Sequence, residues 1–480
     1  MKKALLKKVV FVNPPMNREA QYKEYSQVGG FDPPFGLCYL AAMARKEGYA
    51  SHIIDSPSLG WSFGKTISEV IRLKPDYICI TATTYAINSA IKVSSSLKKK
   101  SKALRIIGGS HFSALPRETI RFFDVGVIGE GELTLVDLLK TLEERKPLSN
   151  VLGIVYKEKS KVMINKPRPL VRDLDDLPKP AFDLLPGISS CYQLPVQSAI
   201  AFPSMSLISS RGCSGHCTFC DRSISGNHIR AHSAEYLFDI IKSLVDHNKI
   251  KSLMFHDDNF LIFKERNLKL VRLLNEAGIK IKFNCLARVD FISKSYLAEL
   301  KKGGLWQVNI GIESGSQRML DFYDKNISLA QIRKSVDVIR SLGLRAKGFI
   351  ILGGPSETPD DLELTRQFVN ELKLTDIGMT YFTPLPGAEI YHVIDRHGRL
   401  IAGFDHFNMF EVVFIPAGLK REAIEEYYKR IYREFYLRPA IMFDYLKRIR
   451  SIRQVIYFTR GLRVFFSAIL RKRPCGNRKY

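Results

Sequence analysis

The stretch RGCSGHCTFC, residues 211–220, contains three of the eight cysteines in this 480-residue chain. Cys213, Cys217 and Cys220 follow the spacing C-x3-C-x2-C. An odd number of thiols this close together does not suit disulfides, because neighbouring pairs would close strained loops. Iron–sulfur clusters are held by cysteine thiolates, usually four for a cubane. Three thiolates from one loop would leave one iron open to another ligand.

Zinc ligation and chance are the alternatives for this loop. Zinc sites usually combine two C-x2-C pairs or add histidines at regular spacing. His216 lies inside the loop, where it is badly placed to complete a tetrahedron with the three thiols. The residues therefore favour a cluster, and they leave zinc and incidental cysteines open as alternatives.

Residues 1–145 alternate apolar strands with helical patterns. Strands are predicted at Lys8–Asn13, Ser51–Asp55, Tyr77–Thr83, Leu104–Gly109 and Val125–Gly129, and helices at 36–47, 63–72, 88–100 and 133–143. Nearly continuous apolar strands in β-α repeats predict a parallel sheet covered on both faces. Ligands of such sheets bind beyond the carboxyl ends of the strands. These ends read NPP (13–15), TATT (81–84), GGSH (108–111) and GEGE (129–132), where small residues allow a bulky ligand to approach the backbone.

A second β-α series is predicted over residues 201–400, after a proline-rich extended linker at 146–200. Its strands are predicted at Ser206–Ser210, Leu253–His256, Ile281–Leu286, Gln307–Glu313, Ala346–Leu352 and Ile377–Thr383, and its helices at 233–247, 264–277, 293–302, 328–342 and 358–373. Six strands are too few to close an eight-stranded barrel, so we predict a partial (β/α)6 barrel. The cysteine loop then follows the first barrel strand. Residues 401–480 are predicted to be helical.

The net charge of +25 is unevenly distributed, and +11 of it lies in the last 43 residues. Residues 438–480 carry nine arginines and three lysines against one acid, Asp444. Apolar residues recur there at three- and four-residue steps, with arginines on the opposite side; they are Val455, Phe458, Leu462, Phe465 and Ile469. This pattern predicts a basic amphipathic helix, which suits an anionic membrane surface or, equally, packing on the barrel with a solvated basic face.

No stretch approaches the roughly 18 uninterrupted apolar residues of a membrane span. The cysteines outside the loop are scattered, which indicates a reducing environment. We therefore expect a cytoplasmic protein, with the basic tail as a candidate for peripheral contact with a membrane.

In combination, these motifs resemble those of the cobalamin-binding radical S-adenosylmethionine (SAM) family. An aromatic residue, Phe219, precedes the third cysteine, as is common in that family. The other matching segments end the later barrel strands and read FHDDNF (255–260), CLARVD (285–290), GIESGS (311–316), GFIILGGPSET (348–358) and FTPLPGAEIY (382–391). The resemblance covers roughly residues 8–400. The family includes the anaerobic tetrapyrrole ring cyclase, hopanoid methylases and bacteriochlorophyllide methyltransferases.

The resemblance implies three cofactors, namely a [4Fe-4S] cluster on the three cysteines, SAM and cobalamin. It implies a flavodoxin-like, cobalamin-binding N-terminal domain. The residues implied for SAM are Asp257, Asp258, Asn259, Arg288, Glu313, Ser314, Gly353 and Gly354, with Arg288 as the partner of the SAM carboxylate. Those implied for cobalamin are Thr83, Thr84, Gly108, Gly109, Ser110, His111, Gly129, Glu130 and Gly131. The Asp-x-His-x-x-Gly motif that supplies an imidazole to cobalt in many cobalamin proteins is absent from residues 1–150.

The implied reaction is methylation of an unactivated carbon in a hydrophobic substrate, such as a lipid or tetrapyrrole. A flavodoxin or ferredoxin is the expected reductant. The alternative within the family is oxidative ring closure or oxygenation of a tetrapyrrole. RNA methylthiotransferases share the barrel, but they need three further cysteines in the N-terminal domain. This chain has only Cys38 and Cys79 there, so a nucleic-acid partner is not expected.

Overall fold

The computed structural model describes residues 6–27, 29–447 and 459. Its N-terminal part is a seven-stranded sheet with the order β2-β1-β3-β4-β5-β6-β7. The strands are β1 Lys8–Asn13, β2 Ala50–Asp55, β3 Tyr77–Thr81, β4 Leu104–Gly108, β5 Val125–Val127, β6 Ile154–Glu158 and β7 Lys161–Ile164. β1 to β5 pair in parallel, in the flavodoxin-like order. The predicted fold class is confirmed for this half of the chain.

Helices cover both faces of this sheet, as the continuous apolar strands predict. Successive side chains of a strand point to opposite faces, and β1 shows this directly. Val9 and Phe11 join one apolar cluster with helices Phe35–Lys46 and Glu132–Glu143. Val10 and Val12 join a second cluster with helices Phe63–Leu73 and Ile87–Lys98 on the other face.

Residues 154–164 do not form the extended linker that the sequence analysis predicts. They form a hairpin, β6–β7, and β6 pairs antiparallel with β5 through Ile154, Val155 and Tyr156. These three side chains are buried. The hairpin satisfies the backbone hydrogen bonds of β5, which would otherwise be an unprotected edge strand. Residues 165–203 then cross to the second half as irregular chain with short helical turns.

The second half contains a six-stranded parallel sheet with the order β15-β14-β13-β12-β11-β8. Its strands are β8 Ser204–Leu207, β11 Ser252–Phe255, β12 Lys282–Ala287, β13 Leu305–Glu313, β14 Arg345–Leu352 and β15 Asp376–Tyr381. The helices between them are Ala234–Asn248, Lys264–Glu276, Lys294–Lys302, Leu329–Ser341 and Pro359–Glu371. A further helix, Gln317–Phe322, follows β13 and was not predicted. The sheet is the predicted partial barrel, with β8 and β15 as its two edges.

Residues 401–420 differ from the predicted helical tail. Strand β17, Phe414–Pro416, pairs antiparallel with β16, Gly398–Leu400. Gly403, Pro416 and Gly418 interrupt any helical period in this segment. Helices Arg421–Tyr436 and Pro439–Lys447 follow.

The amphipathic helix predicted around residues 453–471 lies outside the described residues, apart from residue 459. In the part of the chain that the structure describes, no helix combines the length and the apolar character needed to cross a membrane.

Candidate active site

The cysteine loop begins and ends at a two-residue antiparallel pair at the rim of the barrel. Strand β9, Ser210–Arg211, enters the loop, and β10, Arg230–Ala231, leaves it. Gly212 has φ of +86°, and a Cβ there would lie 2.3 Å from the carbonyl oxygen of His228. Only glycine allows the two ends of the loop to pass this closely.

Hydrogen bonds shape the loop around its sulfur atoms. The Gly215 N–H donates to Cys213 Sγ at 3.4 Å, and the Cys220 N–H donates to the Cys217 carbonyl at 3.1 Å. Arg288 Nη1 lies 3.8 Å from Cys217 Sγ. The structure therefore brings the three predicted thiols into one loop, with a cation beside them.

The surroundings of Cys217 favour its thiolate form. A hydrogen bond from Cys220 lowers the pKa of the Cys217 thiol to about 6; burial opposes this shift, and the Lys325 and Arg288 cations support it. The same hydrogen bond and burial raise the pKa of Cys220. Iron–sulfur clusters are held by cysteine thiolates, and three cysteines on one loop fit that donor set. In the described ranges, no three His, Cys, Asp or Glu side chains converge on a single ion; in a cubane, the thiolates bind different irons.

Arg288 and Glu313 lie beside the cysteine loop, but each already has a partner. Arg288 Nε donates to Asp290 Oδ1 at 3.1 Å, and Nη2 donates to the Lys325 carbonyl at 3.0 Å. Glu313 Oε1 accepts a hydrogen bond from Lys325 Nζ at 2.7 Å, and both residues are buried. Ser314 Oγ lies 3.1 Å from Thr365 Oγ1. Arg288 can receive a SAM carboxylate only by sharing its guanidinium with Asp290.

Lys325 is a buried cation that the sequence analysis missed. Its Nζ lies 5.9 Å from the centre of the Phe219 ring, next to the cysteine loop. The residue follows the helix Gln317–Phe322, which has no clear sequence signal of its own. Only the buried position of Lys325 identifies it as part of the site.

The three polar residues after β11 have different surroundings. Asp257 is fully buried and accepts the N–H groups of Ser209, at 2.6 Å, and Ser210, at 3.2 Å, so it anchors the start of the cysteine loop. Asp257 was among the residues implied for SAM, and in the structure its carboxylate already has these backbone partners. Burial and the charge of Asp257 raise the pKa of Asp258. Within the described chain, the buried Asn259 Nδ2 has no hydrogen-bond partner, so it is available to a ligand.

The N–H groups of Gly353 and Gly354 already have a hydrogen-bond partner within the protein. Both donate to Glu357 Oε2, at 2.5 and 3.0 Å. Glu357 is buried, and burial raises the pKa of its carboxyl to about 8. Glu357 was not predicted from the sequence, although its position three residues after the second glycine of GGPSE could have indicated it.

A cavity of about 340 Å³ lies between the carboxyl edge of the N-terminal sheet and the barrel. It continues between the sheet and the helices Phe35–Lys46 and Glu132–Glu143, where Leu37, Leu40 and Leu135 line it. Five of the predicted cobalamin residues line this cavity: Gly108, Gly109, Gly129, Glu130 and Gly131. The barrel contributes Arg211, Gly212, His256 and Asp258. One cavity therefore joins the glycine turns of the sheet to the start of the cysteine loop.

The other predicted cobalamin residues do not line the cavity. Thr83 is exposed, and the Ser110 carbonyl accepts a hydrogen bond from Ser223 Oγ at 3.2 Å. His111 is buried, with Nδ1 3.3 Å from Thr84 Oγ1 and its ring edge-on to Phe404, at 4.9 Å between centroids. Burial lowers the pKa of His111 to about 4, so its imidazole is neutral at pH 7.

Two family models match the chain. The model of the Radical SAM superfamily matches residues 207–369, and that of the B12 binding domain matches residues 26–139. An uncharacterized methyltransferase of Pyrococcus horikoshii is 32% identical over 441 residues, which cover 91% of this chain and 94% of that protein. The chain belongs to the cobalamin-binding radical SAM family. It is a radical SAM enzyme whose cofactors are SAM, a [4Fe-4S] cluster and cobalamin, as its motifs predict.

More distant members of the family carry specific names. The anaerobic magnesium-protoporphyrin IX monomethyl ester cyclase of Cereibacter sphaeroides is 24% identical, covering 90% of this chain and 71% of its own length. The hopanoid C-3 methylase of Methylococcus capsulatus is 24% identical, covering 76% and 69%. Among solved structures, the cobalamin-dependent radical SAM enzyme OxsB superposes with a TM-score of 0.72 at 18% identity, covering 96% of this chain and 72% of that one. That likeness concerns the fold.

The burial of His111 predicts a pH dependence of stability. The folded protein holds the pKa of His111 at about 4, against 6.5 for an unperturbed histidine, so between these values the unfolded chain binds more protons. The free energy of unfolding should therefore fall as the pH decreases from 6.5 towards 4, by at most about 1.4 kcal/mol per pH unit from this residue. Denaturant titrations of wild type and His111→Gln at several pH values measure this slope. A slope of the same size in both proteins would contradict the assignment.

Proposed function

We propose that this enzyme is a C-methyltransferase that acts on an unactivated carbon of a hydrophobic substrate, a lipid or a tetrapyrrole. The observation that carries the proposal is the single cavity shared by the glycine turns of the cobalamin-type sheet and the start of the cysteine loop. The names of the relatives support the substrate class, since one relative is a protoporphyrin ester cyclase and another a hopanoid methylase.

We assign residues to each cofactor on the basis of their positions. Cys213, Cys217 and Cys220 are assigned to the cluster. Gly108, Gly109, Gly129 and Gly131 are assigned to cobalamin, and Asp258, Asn259 and Arg288 to SAM. When bound, these groups supply a radical able to take a hydrogen atom from carbon, and a methyl group to replace it. We assign cobalamin binding to residues 1–145 with the hairpin 154–164, and the radical chemistry to residues 201–400.

The protein's own contribution is position, charge and exclusion of water. Lys325 and Arg288 lie close to Cys217 and stabilise its thiolate. Leu37, Leu40 and Leu135 give the inner part of the cavity apolar walls. Apolar walls keep water from the reacting groups and so limit side reactions.

The assignment of the cavity to cobalamin can be tested at Gly108. A Cβ at this position would contact nothing closer than the Val127 carbonyl oxygen, at 3.9 Å, so a larger side chain would enter the cavity without displacing the backbone. We expect Gly108→Leu to lower the affinity for hydroxocobalamin at least tenfold, measured by equilibrium dialysis. Gly64→Leu, on the exposed side of the helix Phe63–Leu73, is the matched control and should bind as wild type does. Equal affinity in Gly108→Leu and wild type would refute the assignment.

Methyl transfer can be tested with labelled SAM. The protein is reconstituted anaerobically with iron, sulfide and cobalamin, and incubated with reductant, SAM carrying a trideuterated methyl group, and lipid or tetrapyrrole fractions. We expect a product that carries the label, with 5′-deoxyadenosine formed alongside it, and neither in Cys213→Ala. Formation of 5′-deoxyadenosine with a modified but unlabelled tetrapyrrole would indicate oxidative ring closure or oxygenation instead.

We also propose that the C-terminal region contacts an anionic membrane surface, where hydrophobic substrates reside. Helix Pro439–Lys447 exposes three large apolar side chains, with 49% of Met442, 59% of Phe443 and 52% of Leu446 accessible. The sequence after it is strongly basic. An exposed apolar face next to basic residues is the combination that binds the interface of anionic bilayers.

Vesicle flotation tests this contact. The full chain should float with vesicles that contain phosphatidylglycerol and should not float with neutral phosphatidylcholine vesicles. Phe443→Glu should reduce the floating fraction several-fold, because it places a carboxylate on the apolar face. Leu364→Glu, at a leucine that is 47% exposed elsewhere on the barrel, controls for the added charge. Undiminished flotation of Phe443→Glu would contradict the proposed surface.

A further inference from the structure

Four charged side chains connect the N-terminal sheet to the cysteine loop, two of them buried glutamates and two of them partly buried arginines. Arg211 Nη1 donates to Glu130 Oε1 at 2.8 Å, and Arg211 Nη2 donates to Glu132 Oε1 at 2.6 Å. Arg230 Nη1 donates to the second oxygen of Glu130, Oε2, at 2.9 Å. No more than 15% of any of these four side chains is accessible to solvent. We refer to these four residues as the interdomain ion network.

The network holds both ends of the cysteine loop. Arg211 and Arg230 are paired residues of β9 and β10, the strands through which the loop begins and ends. Glu130 and Glu132 belong to the GEGE turn that follows β5, and both line the cavity, as Arg211 does. A single set of charges therefore contacts the proposed cobalamin cavity and the base of the proposed cluster loop.

Both carboxylate oxygens of Glu130 accept hydrogen bonds in these contacts, and Glu132 accepts through Oε1. Glu130 Oε2 also accepts the Val171 N–H at 3.0 Å, and Arg230 Nη1 also donates to the Val171 carbonyl at 2.7 Å. Burial opposes ionisation of Glu130, but the hydrogen bonds from Arg230 and Arg211 outweigh it and lower the pKa of its carboxyl. The Arg211 guanidinium also lies over the Tyr39 ring, 5.4 Å from its centre. The charged state of the network is therefore the stable one in the fold.

A stable interface between two domains does not require such a network. Replacing a buried ion pair by well-packed apolar side chains is often neutral or stabilising, so buried charges contribute little to the stability of an interface. What they provide is a defined geometry, because a planar guanidinium that donates to two carboxylates fixes both of them. Arg211 can satisfy Glu130 and Glu132 together only if the GEGE turn and the start of the cysteine loop keep one relative position.

We propose that the interdomain ion network couples the two cofactor sites, so that filling the cluster loop raises the affinity for cobalamin and filling the cobalamin cavity stabilises the cluster. Glu130, Glu132, Arg211 and Arg230 act as positioning residues in this coupling. The proposal rests on the cofactor assignments made under the proposed function. Coupling of this kind is reciprocal, since each ligand changes the affinity for the other by the same factor.

The test compares hydroxocobalamin affinity of the full-length protein with and without its reconstituted cluster, by absorbance titration under anaerobic conditions. For wild type, we expect the cluster to increase cobalamin affinity by a factor in the range of about 5 to 150. Glu132→Gln removes one charge of the network and should bring this ratio close to one. Arg211→Lys keeps the charge but loses the guanidinium fork, and should also reduce the ratio.

The control variant is Asp124→Asn. Asp124 pairs with the buried Arg105 inside the N-terminal domain, away from the loop, so this variant also loses an ion pair but should keep the wild-type ratio. Thermal unfolding followed by circular dichroism shows whether each variant is folded. The wild-type measurement needs no variant: equal cobalamin affinity with and without the cluster would overturn the coupling. Absence of cobalamin binding in both forms would instead overturn the proposed function itself.

Discussion

Parallel strand pairing determines where every functional loop of this molecule lies. In a parallel sheet, all strands end at the same edge, so the loops that follow them gather there. Here two such sheets are joined in one chain, and the edges of both contribute to one cavity. The glycine turns after β4 and β5 come from one sheet, and the cysteine loop and Asp258 from the other. The rest of the site depends on keeping these two edges opposite each other.

Much of this arrangement could be predicted from the sequence, because both halves have strong β-α periodicity. β1 was predicted at its observed bounds, since its continuous apolar run is buried on both faces. The hairpin 154–164 was not predicted, because its β6 strand is a short apolar run in a segment rich in lysine and proline. Its pairing with β5 also depends on the tertiary structure. Residues 401–420 are not helical because they contain two glycines and a proline. These residues were overlooked when the whole region 401–480 was predicted to be helical.

The site itself could be predicted less completely than the fold. The glycines that line the cavity were identified because glycine after a parallel strand has a direct structural meaning. The charged residues were harder to assign, because a sequence motif identifies a charged residue but not the side chain or backbone group that it contacts. Glu130 was predicted to contact cobalamin; it lines the cavity, and its carboxylate also binds Arg211 and Arg230. Asp257 accepts hydrogen bonds from the backbone N–H groups of Ser209 and Ser210. Lys325 could be identified only from its buried contact with Glu313 in the structure.

The β6–β7 hairpin has a consequence for how this enzyme can change during evolution. β5 has only three residues, and its pairing with β6 turns it from an outer strand into an inner one. The turn that carries Glu130 and Glu132 is therefore held from both sides at its base. Substitutions on the exposed face of β7 should be tolerated freely, whereas a shorter hairpin would loosen a turn that contacts both halves of the protein.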